Sequence, residues 1–299
     1  MSKTISWIAL VLAAVALALV MSRHAPTSGG ESKKETAYER VMQSNTLRCG
    51  YGTWKPGVYK DAETNKMEGL FVELIEAMGR FSNIKIEWTA ETDWGQIPES
   101  ISSGKIDAFC AGMAADAARG KRLAYTNPLS FWTFDVLVRA DDTRFPAGQT
   151  IRIADLNKAD YATAYSEGDV LETIVKNEFP AVRGMPLPPL GTPADNLMHV
   201  TTRKTDFVVF PKIMFQSYEK ANPGQLRYLR VEPPLRAYGN VIAVGIDDLK
   251  LQQLLNAAVN ELVNSGSYAQ IMSRYDQEYP GAFLRIASTY VSSTSGKAQ

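Results

Sequence analysis

Apolar and polar positions change rhythm along this chain in a regular order. An uncharged, mostly apolar run from Ile5 to Met21 gives way to a polar stretch, Pro26 to Glu35, before helical and strand-like periods begin to alternate. Ala37 to Asn45 reads as a short helix and Thr46 to Tyr51 as a strand. Leu70, Leu74 and Met78, with Phe71 and Ile75 beside them, recur at helical spacing over Gly69 to Arg80. Ile84 to Trp88 alternates as a strand, Trp94 to Ser102 reads as a helix, and Ala108 to Gly112 is an apolar run of buried-strand length. Farther on, Thr150–Ile153 and Tyr161–Ala164 are short strand candidates. Glu167-Gly168-Asp169 opens a helix through Val175, and Phe207–Phe210 is another apolar strand. Gly184 to Gly191, with three prolines, reads as a plain connection. Strands alternating with helices predict an α/β fold with mostly parallel sheets, whose ligand crevice lies beyond the carboxyl ends of the strands.

The first apolar run is short for a spanning helix and long for the core of a secretory signal. Arg23 and His24 occupy the place where a signal peptidase prefers small residues, and no cysteine follows to accept a lipid. Residues 1–25 are therefore expected to be an uncleaved inner-membrane anchor rather than a cleaved signal, with the body exported to the periplasm. Residues 26–45 are its linker and leading helix.

A chain of 299 residues can bury one large core or two smaller ones. Lys plus Arg equals Asp plus Glu, so nothing in the charge balance favours nucleic acid or an anionic membrane surface. With two Cys, two His, no CxxC and no HExxH, no metal or other cofactor is expected. GxSxG, P-loop and GxGxxG signatures are absent too, and neither His24 nor His199 suggests catalysis.

The stretch from Ser103 to Leu129 carries the most suggestive chemistry. Gly104 supplies a left-handed helix cap, a strand runs into Gly112, and Arg119 follows. Small residues at a strand end let backbone N–H groups approach a ligand, and a guanidinium forks onto a carboxylate. The same small residues also serve packing alone. Lys121 and Arg122 read as a solvated basic face.

Several features in order carry a resemblance. They are the Leu47–Tyr51 strand with its aromatic-Pro loop, Gly69-Leu-Phe-Val-Glu73, Trp94 ahead of Ser103-Gly-Lys-Ile-Asp107, Ala111-Gly-Met with Arg119 and Asn127-Pro128, and Leu262-Val-Asn-Ser-Gly-Ser-Tyr-Ala-Gln-Ile271 with Arg274-Tyr275. Together they resemble the family 3 periplasmic solute-binding proteins of ABC importers, amino-acid-binding type. The resemblance implies a type II periplasmic-binding-protein fold, two α/β lobes on two crossing strands that close on a solute like a hinged clamp. Mapped here, lobe 1 would be residues 46–129 plus 239–283 and lobe 2 residues 130–238, with a tail at 284–299. The crossings would fall near Leu129–Thr133 and Leu235–Tyr238. The implied function is a monomeric receptor for a small polar, carboxylate-bearing solute, feeding an ABC importer or a membrane sensor. The alternative is an enzyme resembling cyclohexadienyl dehydratases, for which Glu167 or Asp169 would be the proton donor.

The resemblance also implies a site. Trp54 and Trp94 take the aromatic positions that sandwich the solute, although Trp94 could equally cap a core. Gly112 and Ala114 fall at carboxylate-binding backbone positions, and Arg119 matches the carboxylate arginine. Three departures stand out. Ala114 and Asp116 replace hydroxyl residues, and Pro211 stands where the amine-binding Asp is expected. Glu167, Gly168 and Asp169 bring carboxylates to the start of a second-lobe helix, where Asp169 serves as a cap or as a ligand. Standard α-amino acids should then bind poorly unless Asp116, Glu167 or Asp169 supplies the missing charge. Cys49 and Cys110 end neighbouring strands of an exported chain, but adjacent parallel strands often miss the bridging geometry, so they are expected to stay unpaired.

Overall fold

A computed structural model describes residues 35–188, 192–233 and 235–287. The expected anchor and spacer, residues 1–34, and most of the tail lie outside the described residues. Among the described residues no helix is long and apolar enough to cross a membrane.

Helix α1 (Ala37–Ser44) opens the body with a reciprocal cap. The Thr36 hydroxyl accepts from the Glu39 N–H at 3.1 Å, and the Glu39 carboxylate accepts from the Thr36 N–H at 2.9 Å. Then come β1 (Thr46–Tyr51), a small hairpin of β2 (Tyr59–Lys60) and β3 (Met67–Glu68), α2 (Leu70–Ser82), β4 (Lys85–Glu91), α3 (Ile97–Ser102), β5 (Ala108–Ala114) and β6 (Leu123–Tyr125). The long β7 (Ser130–Arg139) leads to β8 (Thr150–Arg152), α4 (Ile153–Leu156), β9 (Ala162–Ser166), α5 (Val170–Glu178), β10 (Arg183–Leu187), α6 (Pro193–Thr201), β11 (Phe207–Pro211), α7 (Lys212–Ala221) and β12 (Leu226–Glu232). A second long strand, β13 (Ala237–Gly245), returns to α8 (Leu249–Asn264), α9 (Ser267–Glu278) and β14 (Phe283–Leu284).

The two lobes share one hydrogen-bonded strand path, β10-β9-β11-β7-β13-β5-β1-β4. Its middle is the crossing: Ser130–Thr133 of β7 pair antiparallel with Ala237–Asn240 of β13. Beyond that overlap β7 runs on beside β11, and β13 beside β5. The short β14 lies along the other flank of β7, with Phe283 opposite Trp132 and Leu284 opposite Phe131. The Tyr268 hydroxyl stitches this flank, donating to the Leu129 carbonyl at 2.8 Å and accepting from the Ile286 N–H at 3.1 Å.

Burial follows the periodicities. The α2 stripe of Leu70, Phe71, Leu74, Ile75 and Met78 is buried against the first sheet, each side chain contributing about 1.5–3 kcal/mol by leaving water. Every residue of β5 is buried, as befits a central strand covered on both faces. At its start the Asp107 carboxylate accepts from Arg40 Nη2 and Arg48 Nη2, each at 2.7 Å, and from the Arg48 N–H at 3.0 Å. Burial alone would raise the pKa of Asp107 and favour its neutral form. The hydrogen bonds from Arg48 and Arg40 overrule it and hold the carboxyl below its usual range.

Two expectations need correction. Cys49 and Cys110 are joined by a disulfide. Cys49 is registered with Ala108, so Cys110, two residues on, leaves the same sheet face, and a Cα separation of 5.5 Å is within bridging range. The proline-rich connection begins as a strand: β10 pairs parallel with β9, Pro186 opposite Tyr165, on a sheet edge where a missing N–H is tolerated. The Leu262–Ile271 segment spans the end of one helix and the start of the next, because Gly266 adopts a left-handed φ of 82° between α8 and α9.

Candidate functional site

β5 delivers its last residue, Ala114, to the edge of a cleft, and the chain then folds back through a 3-10 turn at Arg119–Lys121. That turn sets Asp116 against Arg119. Asp116 Oδ1 accepts from the Arg119 N–H at 3.0 Å, and Oδ2 accepts from Arg119 Nε in a close ion pair. Arg119 Nη2 donates to the Ala114 carbonyl at 3.3 Å. Nη1 is buried without a hydrogen-bond partner, on a side chain only 10% exposed. Behind the pair, Tyr125 Oη donates to the Asp116 carbonyl at 3.0 Å; burial and the Asp116 charge push this phenol up to about 12.

The second lobe faces this pair with the end of β9 and the start of α5. Gly168 takes a left-handed φ of 73°, and Asp169 caps α5 by accepting the Leu171 N–H at 2.9 Å. Burial raises the Asp169 pKa; the charge of Arg119 opposes the rise and that of Asp116 adds to it. From α6, Asn196 donates through Nδ2 to Ser166 Oγ at 3.0 Å, while its Oδ1 is buried without a partner.

These groups meet in a narrow cavity of about 40 Å³ between the lobes. Its polar lining is Asp93, Arg119, Ser166, Glu167, Asp169 and Asn196; Trp94, Trp132, Phe210, Pro211 and Met214 give much of its apolar wall. Trp94 stands edge-on to Phe109 at 5.3 Å, and Trp132 edge-on to Trp54 at 5.1 Å. The indole N–H of Trp132 is buried without a partner.

Of the residues singled out by sequence, Trp94, Ala114, Arg119, Glu167, Asp169 and Pro211 line this cavity. Four do not. Trp54 is a core residue, 3% exposed, whose indole donates to the Ala111 carbonyl at 3.1 Å. Gly112, with φ at 68°, makes room for Phe71, whose ring an added Cβ would meet at 2.3 Å. Asp116 lies behind Arg119 as its ion partner. Gly168 lies where the lobes touch: its added Cβ would stand 3.1 Å from the Gly95 Cα. Ala114 offers a carbonyl to Arg119, where an N–H for the solute was expected.

Sequence reading passed over Asp93, Trp132, Ser166, Asn196, Phe210 and Met214. A polar Asn facing inward on a helix announced by Thr192-Pro-Ala-Asp195 was a usable signal. Trp132 falls in the stretch already read as a crossing. No cluster of metal-binding side chains occurs among the described residues.

Two lobes on crossing strands, with a mixed polar and aromatic cavity enclosed between them, make a solute-binding clamp. Residues 47–278 match the bacterial extracellular solute-binding proteins, family 3, and the chain belongs to that family. A curated relative from Neisseria gonorrhoeae, named "Probable histidine-binding protein", is 24% identical over 273 residues, 90% of this chain and 94% of its own. Among solved structures, an ancestral amino-acid-binding protein described as a precursor of cyclohexadienyl dehydratase shares the fold with a TM-score of 0.67 at 20% identity, covering 80% of this chain and 99% of its own. An ancestral arginine-binding protein bound to arginine shares it with a TM-score of 0.66 at 22% identity, covering 79% and 99%. The protein is thus an exported solute-binding protein.

Proposed function

We propose that the two lobes, residues 46–129 with 239–283 and residues 130–238, close on a small, polar, carboxylate-bearing solute. Trp94, Ala114, Arg119, Glu167, Asp169 and Pro211 form its walls, with Trp132 and Asn196. The observation that carries this reading is Arg119 Nη1, a buried cationic donor with no partner, on a residue that lines the cavity between the lobes. A buried donor left unsatisfied costs about 1–3 kcal/mol, and a solute oxygen would remove that cost. The relatives named for histidine and arginine binding support an amino-acid-like solute. Residues 1–25 hold the receptor to the inner membrane as an uncleaved helix, so that the solute is passed to an importer, or a sensor, within reach of the tether.

Thermal-shift screening of the body from Thr36 tests the receptor reading, since a solute that binds only the folded state raises the melting temperature. Small-angle scattering with a hit should show compaction, and an unchanged radius of gyration at saturation counts against closure. Mass spectrometry of the native protein tests the tether: a mature N-terminus between Leu19 and Glu31 rules it out.

A further inference from the structure

The receptor reading places a solute in the cavity, and the charges around that cavity specify the solute further. Three carboxylates line it: Asp93, Glu167 and Asp169. None of the three forms an ion pair among the described residues. The one cation in the lining is Arg119, and Asp116 already neutralises it. Hydrogen-bonding geometry repeats the imbalance. The Arg119 edge formed by Nε and Nη2, which could grip a carboxylate with two parallel bonds, is spent on Asp116 and the Ala114 carbonyl. One guanidinium nitrogen and neutral donors such as the Trp132 indole N–H and the Ser166 hydroxyl remain to donate. Against them stand the carboxylate oxygens and Asn196 Oδ1, an acceptor buried without a partner on a residue 1% exposed.

An anion entering this cavity would approach three carboxylates and find one free arm of a neutralised arginine. A cation would find acceptors on several sides, the half-buried Asp93 and Asp169, the exposed Glu167 and the buried Asn196. We infer that the solute is a small cation, an amine or guanidine whose positive end seats against Asp169 and Asn196 with Glu167 and Asp93 at its flank, and that any carboxylate it carries contributes little to affinity. This rests on the reading of the cavity as the solute site. It joins two of the departures from the amino-acid-binding pattern, at Pro211 and Asp116, with Asp169 in one design. Pro211 gives up the amine-binding acid, Asp169 supplies an acid from the neighbouring helix start, and Asp116 quenches the carboxylate arginine.

Calorimetric titration of the body from Thr36 tests it with paired probes: L-arginine against L-citrulline, which replaces guanidinium by neutral urea, and L-arginine against agmatine, which lacks only the carboxylate. L-lysine, putrescine, L-glutamine and L-glutamate extend the panel. The best cation should bind at least about 30-fold tighter than the best neutral or acidic probe, the loss expected when one partner of a desolvated charge pair is removed. Removal of the carboxylate should cost under about tenfold, as for a single net hydrogen bond. Asp169→Asn keeps a good helix cap and should leave the melting temperature of the unliganded protein no lower, while weakening the cationic probe by about 30-fold or more. Tightest binding by glutamine, citrulline or glutamate, with compaction in scattering, overturns the cationic reading and leaves the receptor reading standing. If the cation binds but Asp169→Asn binds it equally well, the assignment of its seat is overturned. Absence of binding and compaction with every probe, across the amino acids and common amines, overturns both readings.

Discussion

The two ends of β5 carry the same chemistry and use it differently. At the start, Asp107 receives hydrogen bonds from two guanidinium groups and a backbone N–H, and the cluster ties α1 and β1 to the central strand. Past the other end, Asp116 holds Arg119, but one guanidinium nitrogen is left over and Asp169 faces the pair from the opposite lobe without a cation of its own. A cluster that exists to hold a fold together closes its own account of donors and acceptors. A cluster that exists to hold something else leaves a remainder. Here the remainder lies beside a cavity, and that conjunction, rather than the presence of charge, marks the site.

Mutation of Arg119 should widen this contrast most. Arg119→Ala is expected to cost about 3–5 kcal/mol of stability by leaving Asp116 buried alone, and to shift affinity towards cationic over acidic probes by about tenfold or more, because it strips the lining of its one cation. Arg122→Ala, which removes an exposed pair with Glu99 at 3.5 Å, should leave affinity unchanged. Equal effects in titration would erase the distinction between the two arginines.

At the other end the effect should appear in stability alone. Asp107→Asn is expected to cost about 2 kcal/mol, the range for hydrogen bonds to charged groups, because Arg40 and Arg48 are partly exposed and can be rehydrated. For a body of this size that lowers the melting temperature by about 4–8 °C with affinity unchanged. A loss of binding in a variant that melts normally would make Asp107 part of the site.

Asp116→Ser should act more gently and in a telling direction. Freeing the Nε edge of Arg119 restores a two-pronged carboxylate grip, so affinity for L-glutamine and L-glutamate should rise by about tenfold, one charge-assisted hydrogen bond. No gain for any carboxylate would mean that Asp116 does not quench the arginine.

The smallest effect expected is one of sign. Asp107, held below its usual range, contributes stability that is present above the unfolded-state value of about 3.9 and is lost as the pH falls through the folded value. Asp169, raised by burial, does the reverse: its burden is greatest above its folded value and is relieved as the pH falls. Arg119, Asp116, Glu167 and Asp93 share its cavity and will shape the slope. Asp169→Asn should therefore raise the melting temperature of the empty protein at pH 7 and lose that advantage towards pH 4, whereas Asp107→Asn loses its penalty only in more acid solution. Parallel pH profiles for the two variants would contradict this assignment.

Much of the architecture was legible because it rests on period and order. The α2 stripe and the wholly apolar β5 follow from spacing alone, and the place of the crossing from the family resemblance. Arg119 and Trp94 were legible through an ordered family pattern. What escaped depends on contacts that no spacing encodes. Trp54, in a loop with Pro and Gly, looks like a residue at the mouth of a cleft; Gly57 lets its ring lie flat on the backbone, where an added Cβ would stand 1.9 Å from the indole. Trp132 belongs to a strand whose apolar residues face both ways, so nothing separated it from Phe131 or Phe134. The bond between Cys49 and Cys110 depends on the stagger of β1 against β5. The role of Asp116 depends on a tight turn that brings residues three apart into contact.

The pairing of β14 with the crossing strand has a practical consequence. Leu284 is 48% exposed, yet its backbone is bonded to Phe131, one residue from the tryptophan that forms a wall of the cavity. The chain at Phe283–Leu284 is thus moored to the pivot of the molecule. An environment-sensitive dye on a cysteine at position 284 would ride on that pivot and be touched by every closure, outside the cavity and clear of the solute. The receptor carries, in its own last strand, the mounting point for an optical reporter of its own occupancy.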